Sequence, residues 1–203
     1  QAVTTTPPRG KIYLPDASYR EMTEWSLPVE RQVEFDDLVH QLEHDSRWEQ
    51  IQPFLGGGYW RNFKVKYPES NQMYARMMYV SGLLERAASQ GCSQQVLDAA
   101  QDHLFQGQCN CSYWHGAFGG IYLPHLRNAI YQHLLAAESL LERSMGREET
   151  WVEATSGDYD FDGRTEIRLA NDQLVNWITP KDGGQIYGLD VRGVSHNLGA
   201  TIQ

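Results

Sequence analysis

The chain has 203 residues, 41% hydrophobic and 21% charged, and its 17 basic and 26 acidic residues give a formal charge of −9. That is the composition of a globular protein long enough to bury a core without staples, which excludes wholesale disorder. The acidic balance argues against nucleic acid or an anionic membrane as partner, since both need a basic face, and no apolar run approaches the roughly 20 residues that span a bilayer.

Residues 1–10, QAVTTTPPRG, carry no apolar signal core and read as a loose polar leader. Lys11 to Leu14 is a short β-prone stretch stopped by Pro15. Ser18 to Trp25 predicts a short helix, with Ser18 and Glu21 spaced as a capping box and Pro28 following soon after. Val29 to Ser46 predicts a longer one, with Val33, Leu38 and Leu42 apolar against a highly charged opposite face. Gly56-Gly57-Gly58 then breaks regular structure.

The next helix starts near Pro68, where a missing N–H costs little, and Met73, Met77, Val80, Leu84 and Ala87 form its apolar stripe up to Gly91. Ser93 caps another over Gln94 to Phe105, with Val96, Leu97, Ala100 and Leu104 on one face. A third follows Pro124, carries Leu126, Ile130, Leu134, Ala137 and Leu141, and stops at Gly146. Thr150 to Gly157 reads as linker. Helical periodicity then gives way to β-prone runs at Thr165–Leu169, Leu174–Ile178 and Gln185–Val191, divided by turn signals at Asn171-Asp172 and 180–184.

The expected class is therefore α+β: a mainly helical domain, then an incomplete antiparallel β-sandwich segment, because the strands run out at Gln203. The boundaries fall at 1–10 (leader), 11–146 (helical domain), 147–157 (linker) and 158–203 (start of the sandwich). Cys92, Cys109 and Cys111 are too few for a disulfide scaffold and predict a reduced, cytoplasmic compartment.

The segment Gln108 to Pro124, QCNCSYWHGAFGGIYLP, concentrates special residues between two helices. Gly116, Gly119 and Gly120 permit close backbone approach or positive φ. Asn110, Tyr113, Trp114 and His115 combine donors, acceptors and a stacking face, which suits a hydroxyl-rich ligand such as a carbohydrate. The same residues also suit a tight helix–helix turn with buried aromatics. Cys109, Cys111 and His115 are potential zinc ligands at an unusual Cys-x-Cys spacing, and a Cys–His catalytic pair is a further reading. Asp158, Asp160, Asp162 and Gly163 match the first half of a calcium loop, but its twelfth position is Leu169; Glu166 is the stand-in, and a solvated acidic turn is the alternative. Glu21, Glu24 and Glu69 have no setting that makes them a catalytic pair, so no catalytic residue is nominated.

Three long motifs then carry a resemblance. LPDASYREMTEWSLP (14–28), GGGYWRNFKVKYPESNQMYARMMYVS (56–81) and GQCNCSYWHGAFGGIYLPHLR (107–127) resemble the central region of glycoside hydrolase family 57, specifically its α-amylase and 4-α-glucanotransferase members. DYDFDGRTEIRLANDQLVNWITPKDGGQIYGLDVR (158–192) is similar to the start of their C-terminal β-sandwich domain. The resemblance implies a retaining enzyme on α-1,4-glucans, with a Glu nucleophile and an Asp acid/base on an N-terminal (β/α) barrel that this chain lacks. It implies that the chain alone is inactive and needs neither cofactor nor metal. Its partners are then the barrel and an α-glucan or maltooligosaccharide. The 108–120 loop would wall the cleft: Trp114 would stack on or border a glucose ring, while Asn110, Tyr113 and His115 shape or contact the site. Cys111 stands where several members carry Asp, and a thiol cannot accept sugar hydroxyls as a carboxylate does. A stand-alone maltooligosaccharide-binding module and a zinc-binding interaction protein are the competing readings.

Overall fold

The structure, a computed structural model, describes residues 10, 20–115, 119–147 and 149–202. Residues 1–9 of the leader, the Lys11–Leu14 stretch, the Ser18 cap and Gly116 lie outside the described residues. The described chain divides into two compact units, Gln1–Lys66 and Tyr67–Gln203.

The first unit holds α1 (Arg20–Ser26), α2 (Val29–Glu43), α3 (Trp48–Ile51) and α4 (Trp60–Lys66). Its apolar centre is Met22, Val39 and Phe63, with Trp60 stacked on Phe63 at 5.3 Å. Lys66 ties α4 to the end of α1 by donating to the carbonyls of Trp25 (2.8 Å) and Leu27 (2.5 Å). The stripe expected on α2 does not face this centre, for Val33 and Leu38 are 59% and 50% exposed and Val39 is buried instead. A helix that packs along one edge of a small unit buries one row of side chains and leaves the rest of an apolar stripe open.

The second unit is built on three helices, α5 (Pro68–Ser89), α6 (Gln94–Gly107) and α7 (Pro124–Ser144), which follow the periodicity closely. Met73, Val80 and Ala87 on α5, Ala100 and Leu104 on α6, and Ile130, Leu134, Ala137 and Leu141 on α7 are buried together. Pro68 and Pro124 open two of these helices, and Ser93 Oγ accepts from Val96 N at the start of the third.

The same unit contains a five-stranded antiparallel sheet in sequential order: β1 (Val152–Gly157), β2 (Glu166–Asn171), β3 (Leu174–Thr179), β4 (Gln185–Val191) and β5 (His196–Asn197). Residues 152–157, read as linker, are therefore its first strand, pairing Val152 with Asn171 through Gly157 with Glu166. Sequence patterning missed β1 because Val-Glu-Ala-Thr-Ser-Gly has little apolar alternation; an edge strand is held by its partner's ladder instead.

The helix-facing side of the sheet carries charge. The register aligns Thr155, Arg168, Trp177 and Gly188 in one row across four strands, with Ala170, Val175 and Asp190 in the next. Arg168, Asp190 and Arg192 meet Arg76 of α5 and Glu138 and Glu142 of α7, and all six are buried. Arg76 pairs with Asp190 at 2.6 Å, Arg168 with Glu138 at 2.6 Å and Glu142 at 2.9 Å, and Arg192 with Glu142 at 2.6 Å. Trp177 Nε1 and Asn197 Nδ2 donate to the two oxygens of Asp190 at 3.0 and 2.7 Å. Three guanidinium groups thus face three carboxylates, so a charge-neutral set joins helices to sheet. Arg147 and Glu153, paired at 2.6 Å, close its rim.

α6 and α7 also share a histidine pair, His103 Nδ1 and His133 Nδ1 at 3.0 Å, so one ring donates and the other accepts. Burial and the neighbouring His103 hold His133 below the usual 6.5. Folded His133 therefore takes up a proton less readily than in the unfolded chain, and stability falls as pH drops below about 6.5 toward the folded value. We expect Tm to decline between pH 7 and 5.5, and His133→Gln to flatten that segment of the melting profile. An unchanged slope in the variant would remove the pair as its source.

Candidate functional site

The loop between α6 and α7 is fastened mainly by backbone groups. Asn110–Ser112 forms one 3₁₀ turn and Gly120–Tyr122 a second. Gly119 and Gly120 have φ of +98° and +43°. A Cβ at 120 would stand 1.9 Å from the Trp114 carbonyl oxygen and 2.1 Å from that of His115. Only glycine lets the returning chain press so closely, and Ile121 N then donates to Trp114 O at 2.8 Å. From below, Tyr113 Oη donates to Gly107 O at 2.5 Å and Ser70 Oγ to Tyr113 O at 2.6 Å. Arg127 Nη1 donates to Ile121 O at 2.5 Å.

This fastening brings three rings together. Tyr67 sits at the start of α5, His115 on the loop and Tyr122 on the second 3₁₀ turn. Tyr122 Oη donates to Tyr67 Oη at 3.2 Å, and Tyr67 Oη lies 2.8 Å from His115 Nε2. The rings of Tyr67 and His115 meet edge to face at 4.8 Å. With Tyr67 donating, Nε2 is the acceptor, and the neutral imidazole carries its proton on Nδ1. Burial and the hydrogen bond from Tyr122 raise the Tyr67 hydroxyl above its usual range, which keeps it a donor. The trio contains no carboxylate, so it offers orientation and hydrogen bonding.

The sequence-nominated residues separate on this scaffold. Asn110 is exposed at the loop surface, Trp114 and His115 are half-buried, and Tyr113 is buried with its hydroxyl committed to Gly107. Tyr67 and Tyr122 were not nominated. Their signal was a tyrosine just before each Pro-opened helix, where side chains converge on the same end of the bundle. Cys109 and Cys111 are exposed free thiols. They do not converge with His115, since the single group of three or more metal-ligating side chains among the described residues is Asp158, Asp160 and Glu166.

That acidic group is held by its own backbone. Asp158 accepts from the N–H groups of Asp162 and Gly163 at 3.1 Å, Asp160 from Asp162 N at 3.1 Å, and Glu166 from Tyr159 N at 2.8 Å. Burial, with Asp162 nearby, raises Asp160 above the usual carboxylate range. Asp162 itself stands outside the ligand-spaced set. These contacts describe a turn whose carboxylates cap backbone donors. No described helix is long and apolar enough to cross a membrane.

Comparison with known proteins adds a consistent result. Residues 58–141 match the family model for the α-amylase/4-α-glucanotransferase middle domain, and residues 158–203 match the C-terminal model of the same proteins. The chain is 42% identical over 191 residues to α-amylase 1 of Dictyoglomus thermophilum, covering 94% of this chain and 26% of that protein. It is 41% identical over 182 residues to the 4-α-glucanotransferase of Thermococcus litoralis, covering 90% and 25%. The crystal structure of the Thermococcus litoralis enzyme superimposes with a TM-score of 0.75 at 38% identity, over 98% of this chain and 28% of that one. The chain thus spans about a quarter of the length of the relatives it matches.

Proposed function

The chain belongs to the α-amylase/4-α-glucanotransferase family, and from that membership we propose that it supplies one wall of the glucan-binding cleft of an α-1,4-glucan-acting enzyme. The observation that carries this reading is the collinear structural likeness to a 4-α-glucanotransferase across nearly the whole chain. The His115 loop supports this reading, since hydrogen bonds fasten its described residues and Asn110 on it is exposed.

In this reading Trp114 borders a glucose ring, because the apolar C–H face of a sugar packs on an indole. His115, its tautomer set through Tyr67 and Tyr122, and Asn110 meet sugar hydroxyls. Tyr113 shapes the loop from beneath. The Glu nucleophile and the Asp acid/base of a retaining mechanism belong to an N-terminal (β/α) barrel, the partner this region would complete. The choice between hydrolysis and transfer then rests on acceptor binding in that barrel. The three free thiols suit a reduced cytoplasmic compartment.

A chimera tests the reading. In it this chain replaces the matching segment of the Thermococcus litoralis 4-α-glucanotransferase. We expect the chimera to disproportionate maltoheptaose, and Trp114→Ala to lower kcat/KM by about tenfold to a hundredfold through lost substrate positioning. An active chimera indifferent to the Trp114 change would overturn the cleft-wall assignment.

A further inference from the structure

A second surface of the Tyr67–Gln203 unit has the make-up of a ligand site. An open groove of about 670 Å³ runs between the C-terminal half of α5, strand β1 and the turn 158–161. That size lies within the roughly 300–1,000 Å³ of small-ligand sites. Arg86 lies some 19 residues along α5 from Tyr67, about 28 Å at 1.5 Å per residue, so the groove is separate from the His115 loop.

Phe161 draws attention to it. It is 57% exposed, yet its backbone is left-handed at φ +62°. That conformation is unfavourable for a bulky L-residue, and glycine would adopt it freely. The turn is held by the Asp158 and Asp160 carboxylates, so its geometry does not call for an aromatic ring. A strained, exposed phenylalanine at a groove edge points to a use for the ring outside folding.

The rest of the lining fits one kind of ligand. Tyr79 and Tyr159 line the same groove, their rings fixed edge-on against Trp177 at 5.3 and 5.2 Å. Arg86 lies over the Tyr79 ring at 6.0 Å, and Tyr159 Oη donates to Thr155 Oγ1 at 2.9 Å. Arg86 and Arg147 share the groove with Glu142, Glu153 and Asp158, and Arg147 pairs with both glutamates, so the lining carries charge of both signs and presents no concentrated field for a single ion. Aromatic faces rimmed by planar polar groups of both signs suit an uncharged amphipathic molecule, with apolar C–H faces and a belt of hydroxyls. We infer that this groove is a second carbohydrate-binding site, which holds a segment of α-1,4-glucan through Phe161 and Arg86. The choice of an α-1,4-glucan rests on the proposed function; the groove chemistry itself asks only for an oligosaccharide.

Calorimetric titration of the 203-residue chain with maltoheptaose tests this, with cellohexaose as control. We expect saturable binding on the order of 1 mM, weakened at least about tenfold by Phe161→Gly and by Arg86→Ala. Phe54→Ala, a change at an exposed aromatic of the first unit, should leave it within about twofold. Phe161→Gly should melt at the same temperature or higher, since glycine relieves the backbone strain, so lost binding will not reflect lost folding. Binding unchanged in both groove variants would overturn the site, as would wild-type heat no larger than buffer dilution. Equal affinity for cellohexaose would overturn the α-1,4-glucan assignment. Loss in Trp114→Ala alone would place the sugar at the loop, leaving the cleft-wall reading intact and the groove refuted.

Discussion

Glu138→Leu should destabilise the protein by about 3–5 kcal/mol, lowering Tm by about 6–20 °C. Glu138 is fully buried, pairs with Arg168 at 2.6 Å and lies 3.4 Å from both Arg76 and Arg192. Its removal leaves three guanidinium groups against the two remaining carboxylates of Glu142 and Asp190. An unbalanced charge away from water costs far more than the pair gained, because the desolvation of both partners was already incurred. Adding Arg168→Met should recover more than half of the loss by restoring charge balance, a coupling that a double-mutant cycle reads directly. Urea titrations of the two single variants and the double variant measure it. Additive losses would show that the six residues do not act as one set.

The same set makes an acid-side prediction. Burial works to raise Glu138, but Arg168, Arg76 and Arg192 hold it below the usual 4.5. The stabilisation it provides is therefore complete above that value and is lost as pH falls through the folded value. The acid limb of the stability curve should flatten in Glu138→Leu.

Gly120→Ala is the second change with a large expected effect, about 2–4 kcal/mol, from positive φ and a backbone clash together. The methyl group would fall within 2.1 Å of two carbonyl oxygens, and neither can rotate away as a side chain would. The loop must open, parting Ile121 N from Trp114 O and moving Tyr122 off Tyr67. Gly146→Ala is the control: its φ is +97° but nothing lies within 4 Å of the added carbon, so about 1 kcal/mol is expected. Ring signals of Tyr67, His115 and Tyr122 should shift in the first variant and not in the second. Equal costs for the two would show that the close approach at Gly120 carries no extra energy.

Both changes act on features of different legibility. Gly120 stands inside a segment whose composition alone marks it as a shaped loop, and the nominated Trp114 and His115 lie beside it. Tyr113 belongs to the same segment, but its burial beneath the loop, with its hydroxyl on Gly107, is invisible in residue type. Glu138 and Glu142 flank the apolar stripe of α7, where a helical wheel reads them as solvated edges. Arg168 and Asp190 lie in strands whose alternation does not say which face turns inward. The outward face in fact carries Leu169, Leu174 and Ile186, all exposed.

The features legible in the residues alone are local ones. Proline starts, glycine stops and apolar spacing of three and four residues set α5, α6 and α7, and turn residues separated β2, β3 and β4, because each signal acts within a turn or a hairpin. The family resemblance was likewise carried by contiguous motifs. Tertiary structure alone decided the rest: Arg76 reaches Asp190 across 114 residues, and Tyr67 meets His115 across 48. Such contacts depend on how amphipathic elements dock, and docking is set by the sum of buried area and satisfied polar groups over the whole unit. A charge that is costly alone becomes stable only when its distant partners arrive, so no window of sequence records it.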